Sequence, residues 1–430
     1  MAKQDVLALP TFGQVSQQTQ SLDDDEIFWW GMLGQSLATL LETSQYSNEE
    51  QLYYLRWFRR WIVRSLEPRP VHGRPFHRSD FTYDGSPLEY SLNWKEKKAS
   101  QTIRFTTEPR SREAGTAADP LNQLASQSLL TAMAKEIPGI DLTRFNLFLA
   151  ETHVPDHAAE EVLSKLPPGH PRARVLVAYD LEHGAVVAKA YFNPELRAIH
   201  TGLSTKTVVF DIIRKCNGPY GAYDASIGML RDYLDAHNAP DGPQIFLLSN
   251  DCVADSPASR IKVYVTAPIT TLRAAMDAFS LGGTLSGSAI EAGLNAIHLL
   301  WCHIFGIDNS STDIEDKEVL PAGSRCVFVY EMRPTGPGQQ GTDMEVKMHM
   351  PGSWFGQTDT KVGEALAAWF QKHGHSEFAA RYQSDLTSAF PKIDLDTPRE
   401  LAHTWISLTH TPKTGLYMTM YYTPKITQFY

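Results

Sequence analysis

Ser259–Val265, with the sequence SRIKVYV, is the stretch that decides the fold. Polar and apolar side chains alternate along it, which is the period-two pattern of a β-strand with two unlike faces. One face carries Arg260, Lys262 and Tyr264, and the other is aliphatic. The aliphatic face has to be buried against another part of the chain, whereas the charged face needs either solvent or a polar interior.

The same alternation recurs in five pairs of short runs along the chain. The pairs are Leu88–Trp94 with Ile103–Glu108, Arg174–Asp180 with Val186–Phe192, Ile245–Asn250 with Arg260–Val265, Arg325–Glu331 with Glu345–Met350, and Thr404–Leu408 with Tyr417–Thr423. Turn-forming residues such as Pro412–Gly415 join the two runs of a pair, as in a β-hairpin. Hairpins favour antiparallel pairing, and a sheet of about ten strands tends to close or to split.

Stretches with helical spacing and few breakers separate these pairs. They are Glu26–Leu66, Asn122–Glu136, Tyr223–His237, Thr270–Phe305 and Val362–Phe390. Their apolar stripes need a surface to cover, and the largest one available is the apolar face of the strands. We therefore predict an α+β fold in which a closed, ten-stranded antiparallel β-barrel is surrounded by α-helices.

The chain is expected to form a single domain over residues 1–430, because no long low-complexity linker divides it. Within that domain we expect a flexible N-terminus over 1–25, N-terminal helices over 26–66 and the barrel repeats over 88–424. The content of 42% hydrophobic and 20% charged residues is typical of a globular protein rather than a disordered one.

The composition also restricts the partners. The formal net charge of −10 at pH 7 argues against broad nucleic-acid binding. No apolar run approaches the ~18 residues that span a bilayer, and the first 20 residues lack a signal-peptide core. The four cysteines form no CxxC pair and are expected to be reduced thiols. We therefore expect a cytoplasmic protein with neither nucleic-acid nor membrane partners.

The polar faces of the strands allow two interpretations. In the first, they face solvent, as on any half-buried antiparallel sheet. In the second, they line the barrel lumen and bring together Arg104, Lys189, Arg260, Lys262 and Lys347 with Tyr191, Tyr264, Tyr417 and Tyr421. Buried cations need an anion such as a diphosphate to compensate them, and tyrosine rings stabilise a carbocation. The lumen interpretation therefore suits the ionisation of an allylic diphosphate.

Four segments resemble fungal aromatic prenyltransferases of the dimethylallyltryptophan synthase type. They are Asp84–Ser91, Lys189–Tyr191, Ser259–Tyr264 and Tyr417–Tyr422, within a resemblance that runs from about residue 25 to 424. The resemblance implies the prenyltransferase (PT) barrel of five ααββ repeats, and so it favours the lumen interpretation. It also implies metal-independent transfer of a dimethylallyl group from dimethylallyl diphosphate to an indole ring, as in alkaloid biosynthesis and other secondary metabolism.

The resemblance carries roles over to individual residues. Glu89 corresponds to the glutamate that accepts a hydrogen bond from the indole N–H and raises the nucleophilicity of the ring. A salt bridge to Arg104 inside the barrel is the structural alternative for Glu89. The diphosphate-binding cations are Arg104, Lys189, Arg260, Lys262 and Lys347, and the shield over the allyl cation is Tyr191, Tyr264, Tyr417 and Tyr421.

Three departures from the family pattern bear on the chemistry. His349 stands where the family usually has a tyrosine; it could bond phosphate, accept a proton if neutral, or simply be satisfied by a neighbour. Residues 172–180 lack the lysine shared by members that prenylate free tryptophan at ring carbon 4, and residues 243–250 lack an arginine for a carboxylate. We therefore expect an uncharged tryptophan-derived acceptor, such as a cyclic dipeptide or an indole alkaloid.

Two other functions stay open on the sequence alone. One is the same chemistry on a phenolic, tyrosine-like or polycyclic aromatic acceptor, and the other is a non-catalytic barrel that binds a phosphorylated small molecule. The acidic run Asp23–Glu26 favours a helix N-terminus rather than a magnesium site. We expect no metal and no cofactor, with the prenyl diphosphate and the aromatic acceptor as small-molecule partners, and a homodimer is left open.

Overall fold

Ten strands form a closed antiparallel barrel in the computed structural model. The structure describes residues 9–18, 23–66, 68–71, 79–98, 100–167, 170–182, 184–310, 313–336, 341–398 and 401–426. The strands are β1 (Leu88–Lys95), β2 (Thr102–Thr107), β3 (Val175–Glu182), β4 (Ala185–Phe192), β5 (Gln244–Asp251), β6 (Ile261–Pro268), β7 (Arg325–Arg333), β8 (Asp343–Pro351), β9 (His403–Thr411) and β10 (Gly415–Tyr422). Each pairs with its neighbours in sequence, and β1 pairs with β10. The predicted fold class is confirmed.

Helices surround the barrel. They are α1 (Pro10–Ser16), α2 (Asp24–Trp29), α3 (Gln35–Thr43), α4 (Asn48–Trp61), α5 (Leu124–Glu136), α6 (Thr143–Glu151), α7 (Ala159–Lys165), α8 (Pro194–Thr201), α9 (Thr205–Arg214), α10 (Asp224–Ala236), α11 (Leu272–Ser280), α12 (Ser288–Phe305), α13 (Asp359–Lys372) and α14 (Ser376–Ala389). Of the helices in the described part of the chain, none has the length and apolar character that a bilayer span requires.

The predicted flexible segment over 1–25 falls partly on residues 1–8 and 19–22, which lie outside the described residues. Between them, α1 packs on the helical layer with Val15 fully buried. The acidic run that follows caps α2: the Asp23 carboxylate accepts a hydrogen bond from the Glu26 backbone N–H (2.8 Å), and the Glu26 carboxylate accepts one from the Asp23 backbone N–H (3.3 Å). This reciprocal capping box fixes the start of the helix, as the sequence predicted.

The apolar face of the strands is the core of the protein. Ile261 and Val263 are fully buried, as are Met418 and Met420 on β10. Tyrosines on this face use their hydroxyls to tie strand to helix, as when Tyr90 donates to the backbone carbonyl of a helical-layer residue at 2.7 Å. Since the outer faces meet helices, the polar faces point into the lumen, and the solvent-facing interpretation is wrong.

Candidate active site

A cavity of about 110 Å³ lies in the barrel lumen. Its wall includes every predicted diphosphate-binding cation, every predicted shield tyrosine, and His349. These residues are Arg104, Lys189, Arg260, Lys262, Lys347, Tyr191, Tyr264, Tyr417, Tyr421 and His349. They come from alternate strands, because the second strand of each hairpin carries them on its inward face. Closure of the barrel therefore brings together residues that are far apart in sequence.

The first group of cations is organised around Asp180 of β3, a residue that the sequence analysis did not single out. Its carboxylate contacts the ammonium of Lys189 directly and lies 3.1 Å from Nε of Arg104. Burial raises the pKa of Asp180, but Arg104 and Lys189 outweigh this and hold it below its usual value. Burial lowers the pKa of Lys189, and Asp180 offsets this only in part. The amide of Asn93, with its oxygen turned toward Arg104, accepts from the guanidinium at 2.7–2.9 Å.

The second group is organised around Asp251, at the end of β5. Nε and Nη2 of Arg260 donate to one of its oxygens at 2.8 and 2.6 Å, and Nζ of Lys262 lies 3.2 Å from the other. Glu331 of β7 accepts from Nη1 of Arg260 at 3.3 Å. Burial lowers the pKa of Lys262, but Asp251 raises it above its ordinary value overall. Both cations are therefore held in the charged state by buried carboxylates.

Lys347 of β8 differs from the other four cations. Its ammonium lies over the ring of Tyr417, 4.3 Å from the centroid, in a cation–π contact. Among the described residues, no carboxylate is within ion-pair distance of it. Burial, reinforced by Arg104, lowers the pKa of Lys347 to about 8. Its charge is thus the least compensated in the cavity wall.

Glu89 of β1 lies just beyond this wall. It is two residues before Ser91, which pairs with Arg104 on one side and with Tyr421 on the other, so Glu89 faces the same lumen. Its Oε1 accepts a hydrogen bond from Oγ1 of Thr404 at 2.5 Å. Burial raises the pKa of Glu89 to about 7 against the lowering effect of that bond. In the described residues Arg104 forms ion pairs with acids of β3 and not with Glu89, so the alternative of a salt bridge is wrong.

A β-bulge brings Thr404 to Glu89. Met420 lies opposite Ile406, whereas Tyr422 lies opposite His403, so β9 carries one extra residue at this point. Ile406 is fully buried on the outer face, and strict alternation would send Thr404 outward with it. The bulge instead turns Thr404 toward the lumen. Strand alternation alone contains no signal for this contact.

The aromatic side of the cavity is continuous. The rings of Tyr191 and Tyr264 are 5.7 Å apart, and His349 lies 6.5 Å from Tyr264 and 5.6 Å from Tyr421. Nε2 of His349 is 3.2 Å from the Tyr421 hydroxyl. Burial and Lys347 lower the pKa of His349 to about 3, which keeps the imidazole neutral. The histidine thus extends the tyrosine layer without adding a charge.

Comparisons with known proteins identify the family of this chain. The family model described as tryptophan dimethylallyltransferase matches residues 25–385. Prenyltransferase iacE of Pestalotiopsis fici is 47% identical, over 98% of this chain and 96% of its own. The 7-dimethylallyltryptophan synthase of Aspergillus fumigatus is 31% identical, over 93% of this chain and 85% of its own.

A solved structure shares the fold of this chain. The crystal structure of AnaPT from Neosartorya fischeri superimposes with a TM-score of 0.83 at 23% identity, over 96% of this chain and 98% of that chain. The family model covers strands β1 to β8, and the relative that is 47% identical covers 98% of the chain. This chain therefore belongs to the tryptophan dimethylallyltransferase family, the fungal indole prenyltransferases that its sequence resembles.

Proposed function

We propose that this protein is a single-domain cytoplasmic enzyme that transfers a dimethylallyl group from dimethylallyl diphosphate to the indole ring of an uncharged tryptophan-derived acceptor. The observation that carries the proposal is the joint placement of five cations, four tyrosines and Glu89 in one lumen. Family membership favours this enzyme over a non-catalytic barrel. The free state of all four cysteines is in keeping with the location.

The residues have distinct roles in the proposed reaction. The five cations hold the diphosphate, so that the allylic C–O bond breaks and its electron pair leaves with the diphosphate oxygen. The four tyrosines stabilise the allyl cation and exclude water from it. Glu89 accepts a hydrogen bond from the indole N–H of the acceptor. The electron-rich ring then attacks the allyl cation and forms the new C–C bond. Loss of the proton from the attacked carbon to a base restores aromaticity.

The leaving group is neutralised by side chains in this proposal, and no metal ion takes part. Turnover should therefore survive an excess of EDTA, measured as diphosphate release from dimethylallyl diphosphate with an indole acceptor. Loss of all activity with EDTA, and its recovery with magnesium, would contradict the proposed role of the cations.

The acceptor is proposed to be uncharged because the cations of the lumen are already engaged. Asp180, Asp251 and Glu331 hold four of them, and the diphosphate needs the same groups. A free amino acid would bring a carboxylate and an ammonium that must both be paired in the lumen. A cyclic dipeptide carries neither charge, and its amides need only neutral hydrogen bonds.

An acceptor panel tests this part. It should contain free tryptophan, tryptophan-containing cyclic dipeptides, tyrosine and polycyclic phenols, with products identified by mass spectrometry. We expect kcat/KM for a cyclic dipeptide to exceed that for free tryptophan at least about tenfold, or about 1.4 kcal/mol. Equal turnover of free tryptophan contradicts the uncharged acceptor, and a preference for phenols selects the other aromatic class.

A further inference from the structure

The pairing between one hairpin and the next, called a seam below, places a carboxylate opposite a lumen cation three times. The opposed pairs are Arg104 with Asp180 between β2 and β3, Lys189 with Asp251 between β4 and β5, and Lys262 with Glu331 between β6 and β7. Directly opposed residues on one face of a sheet are close enough to interact. The lumen of this barrel is therefore built from alternating charges rather than from cations alone.

Two of these carboxylates each bridge a pair of cations. Asp180 contacts both Lys189 and Arg104, and Asp251 contacts both Arg260 and Lys262. Each of these two carboxylates therefore faces two cations at once. Like charges gathered in a buried lumen repel, and a buried lysine without a partner loses its proton.

We propose that Asp180 and Asp251 are positioning residues for the diphosphate: each bridges two cations, fixes them at the cavity wall and favours their charged form. This inference rests on the proposed function, because it assumes that the cations bind the diphosphate. Arg260 shows how the arrangement works. Three of its N–H groups donate to Asp251 and Glu331, and a guanidinium has five, so two stay available to a ligand in a fixed plane.

Coulomb attraction alone makes the opposite prediction. If the acids merely subtracted charge from an anion site, removing one would strengthen diphosphate binding. If they position the cations, removing one weakens binding, since Lys189 then faces Arg104 and Lys262 from β2 and β6 with only the more distant Asp251 of β5 to support its charge. The already lowered pKa of Lys189 supports this outcome. The sign of the effect therefore separates the two explanations.

Calorimetric titration of the full-length protein with inorganic diphosphate at pH 7 measures that sign. We expect Asp180→Asn and Asp251→Asn to weaken binding at least roughly tenfold. Glu345→Gln is the matched control. It removes a carboxylate from the same cavity wall, but one that is half exposed and paired 3.1 Å away with Arg333, outside the five cations. We expect the control to change Kd less than about twofold.

The titration also distinguishes the possible failures. A wild-type protein that binds no diphosphate overturns the proposed function; a wild type that binds, with both asparagine variants binding as tightly or more tightly, overturns only the positioning role. Asp180→Glu, which keeps the charge, should recover part of the affinity. If Asp180→Asn does not fold, the change is combined with Lys189→Met: positioning predicts binding no tighter than in Lys189→Met alone, and tighter binding overturns it.

The affinity for inorganic diphosphate, measured over a series of pH values, separates positioning from a purely structural role, which would not change the pH dependence. In Asp180→Asn the loss of affinity with rising pH should begin at a lower pH than in the wild type, because Lys189 has lost the carboxylate that favours its charged form. An unchanged pH dependence overturns the proposal.

Discussion

The fourth seam of the barrel differs from the first three at one position. The register of β8 and β9, continued from Met348 opposite Leu408, puts Thr409 opposite Lys347, where each earlier seam has a carboxylate. The Thr409 hydroxyl donates to the Val346 carbonyl at 2.6 Å and offers Lys347 no charge. Acids of the protein therefore pair with the earlier cations, whereas among the described residues no acid lies opposite Lys347.

Glu89 is the acidic counterpart of Lys347. Among the described residues neither forms an ion pair, and both have a pKa shifted toward neutrality, to about 7 for Glu89 and about 8 for Lys347. Desolvation is the largest cause in each case. Burial also lowers the pKa of Lys189 to about 7, despite its ion pair with Asp180. Glu89, Lys189 and Lys347 are thus lumen groups whose protonation state can change near neutral pH.

The largest effect is expected from removing the charge of Glu89. Glu89→Gln keeps the size of the side chain but removes its charge, so kcat/KM for indole acceptors should fall roughly 10²-fold, about 2.7 kcal/mol. Steady-state kinetics with saturating dimethylallyl diphosphate measures this. Affinity for inorganic diphosphate serves as the control and should not change. A variant with wild-type turnover would show that Glu89 takes no part in activating the acceptor.

The pH dependence of kcat/KM should reveal the ionisation of Glu89 and of the lumen lysines. Glu89 must be ionised to accept a hydrogen bond from the indole N–H of the substrate, so activity is lost as pH falls through about 7. Lys189 and Lys347 must be protonated to bind the diphosphate, so activity is lost again as pH rises through about 7 to 8. The expected profile is a narrow bell that falls about tenfold for each pH unit outside these limits. A profile that is flat between pH 6 and pH 9 would contradict the comparison.

An acid placed opposite Lys347 in the fourth seam, as in the first three seams, should weaken the binding of dimethylallyl diphosphate. Thr409→Asp would place one carboxylate against the single cation Lys347, whereas Asp180 is shared between two cations. We expect KM for dimethylallyl diphosphate to rise roughly fivefold with little change in kcat. Thr409→Asn is the neutral control. Equal KM values for the two variants would mean that the missing acid has no functional importance.

Much of the fold could be predicted from sequence because alternation marks each strand directly. Helices α6 to α9 were not predicted, since they are short and show too few turns of periodic spacing. Thr270–Phe305 was predicted as one helical stretch, but it is two helices, α11 and α12, because Leu281 turns to a positive φ of 51° and a glycine-rich segment follows.

The site was predictable only in part, for a related reason. The cations and tyrosines lie on second strands whose faces alternation identifies. The register between neighbouring hairpins places the three acids opposite the cations; they are Asp180, Asp251 and Glu331. No short turn in the sequence fixes that register. The contact of Thr404 with Glu89 could not be predicted, because a β-bulge turns Thr404 to the face opposite to the one that strand alternation assigns to it.

The smallest effect tests how Glu89 is tuned. The Thr404 hydroxyl donates to the Glu89 carboxylate and so favours its ionised form. Thr404→Val keeps the β-branched shape but removes the donor, so the pKa of Glu89 should rise above about 7 and the acidic limb of the pH profile should move upward. At pH 7 we expect a loss of roughly twofold in kcat/KM for a rise of about half a unit in the pKa of Glu89. Near pH 8 the loss should shrink, because more of the carboxylate is then ionised in both proteins. Thr404→Ser restores the hydroxyl and should restore the limb, whereas an acidic limb that stays in place in Thr404→Val would show that desolvation alone sets the pKa of Glu89.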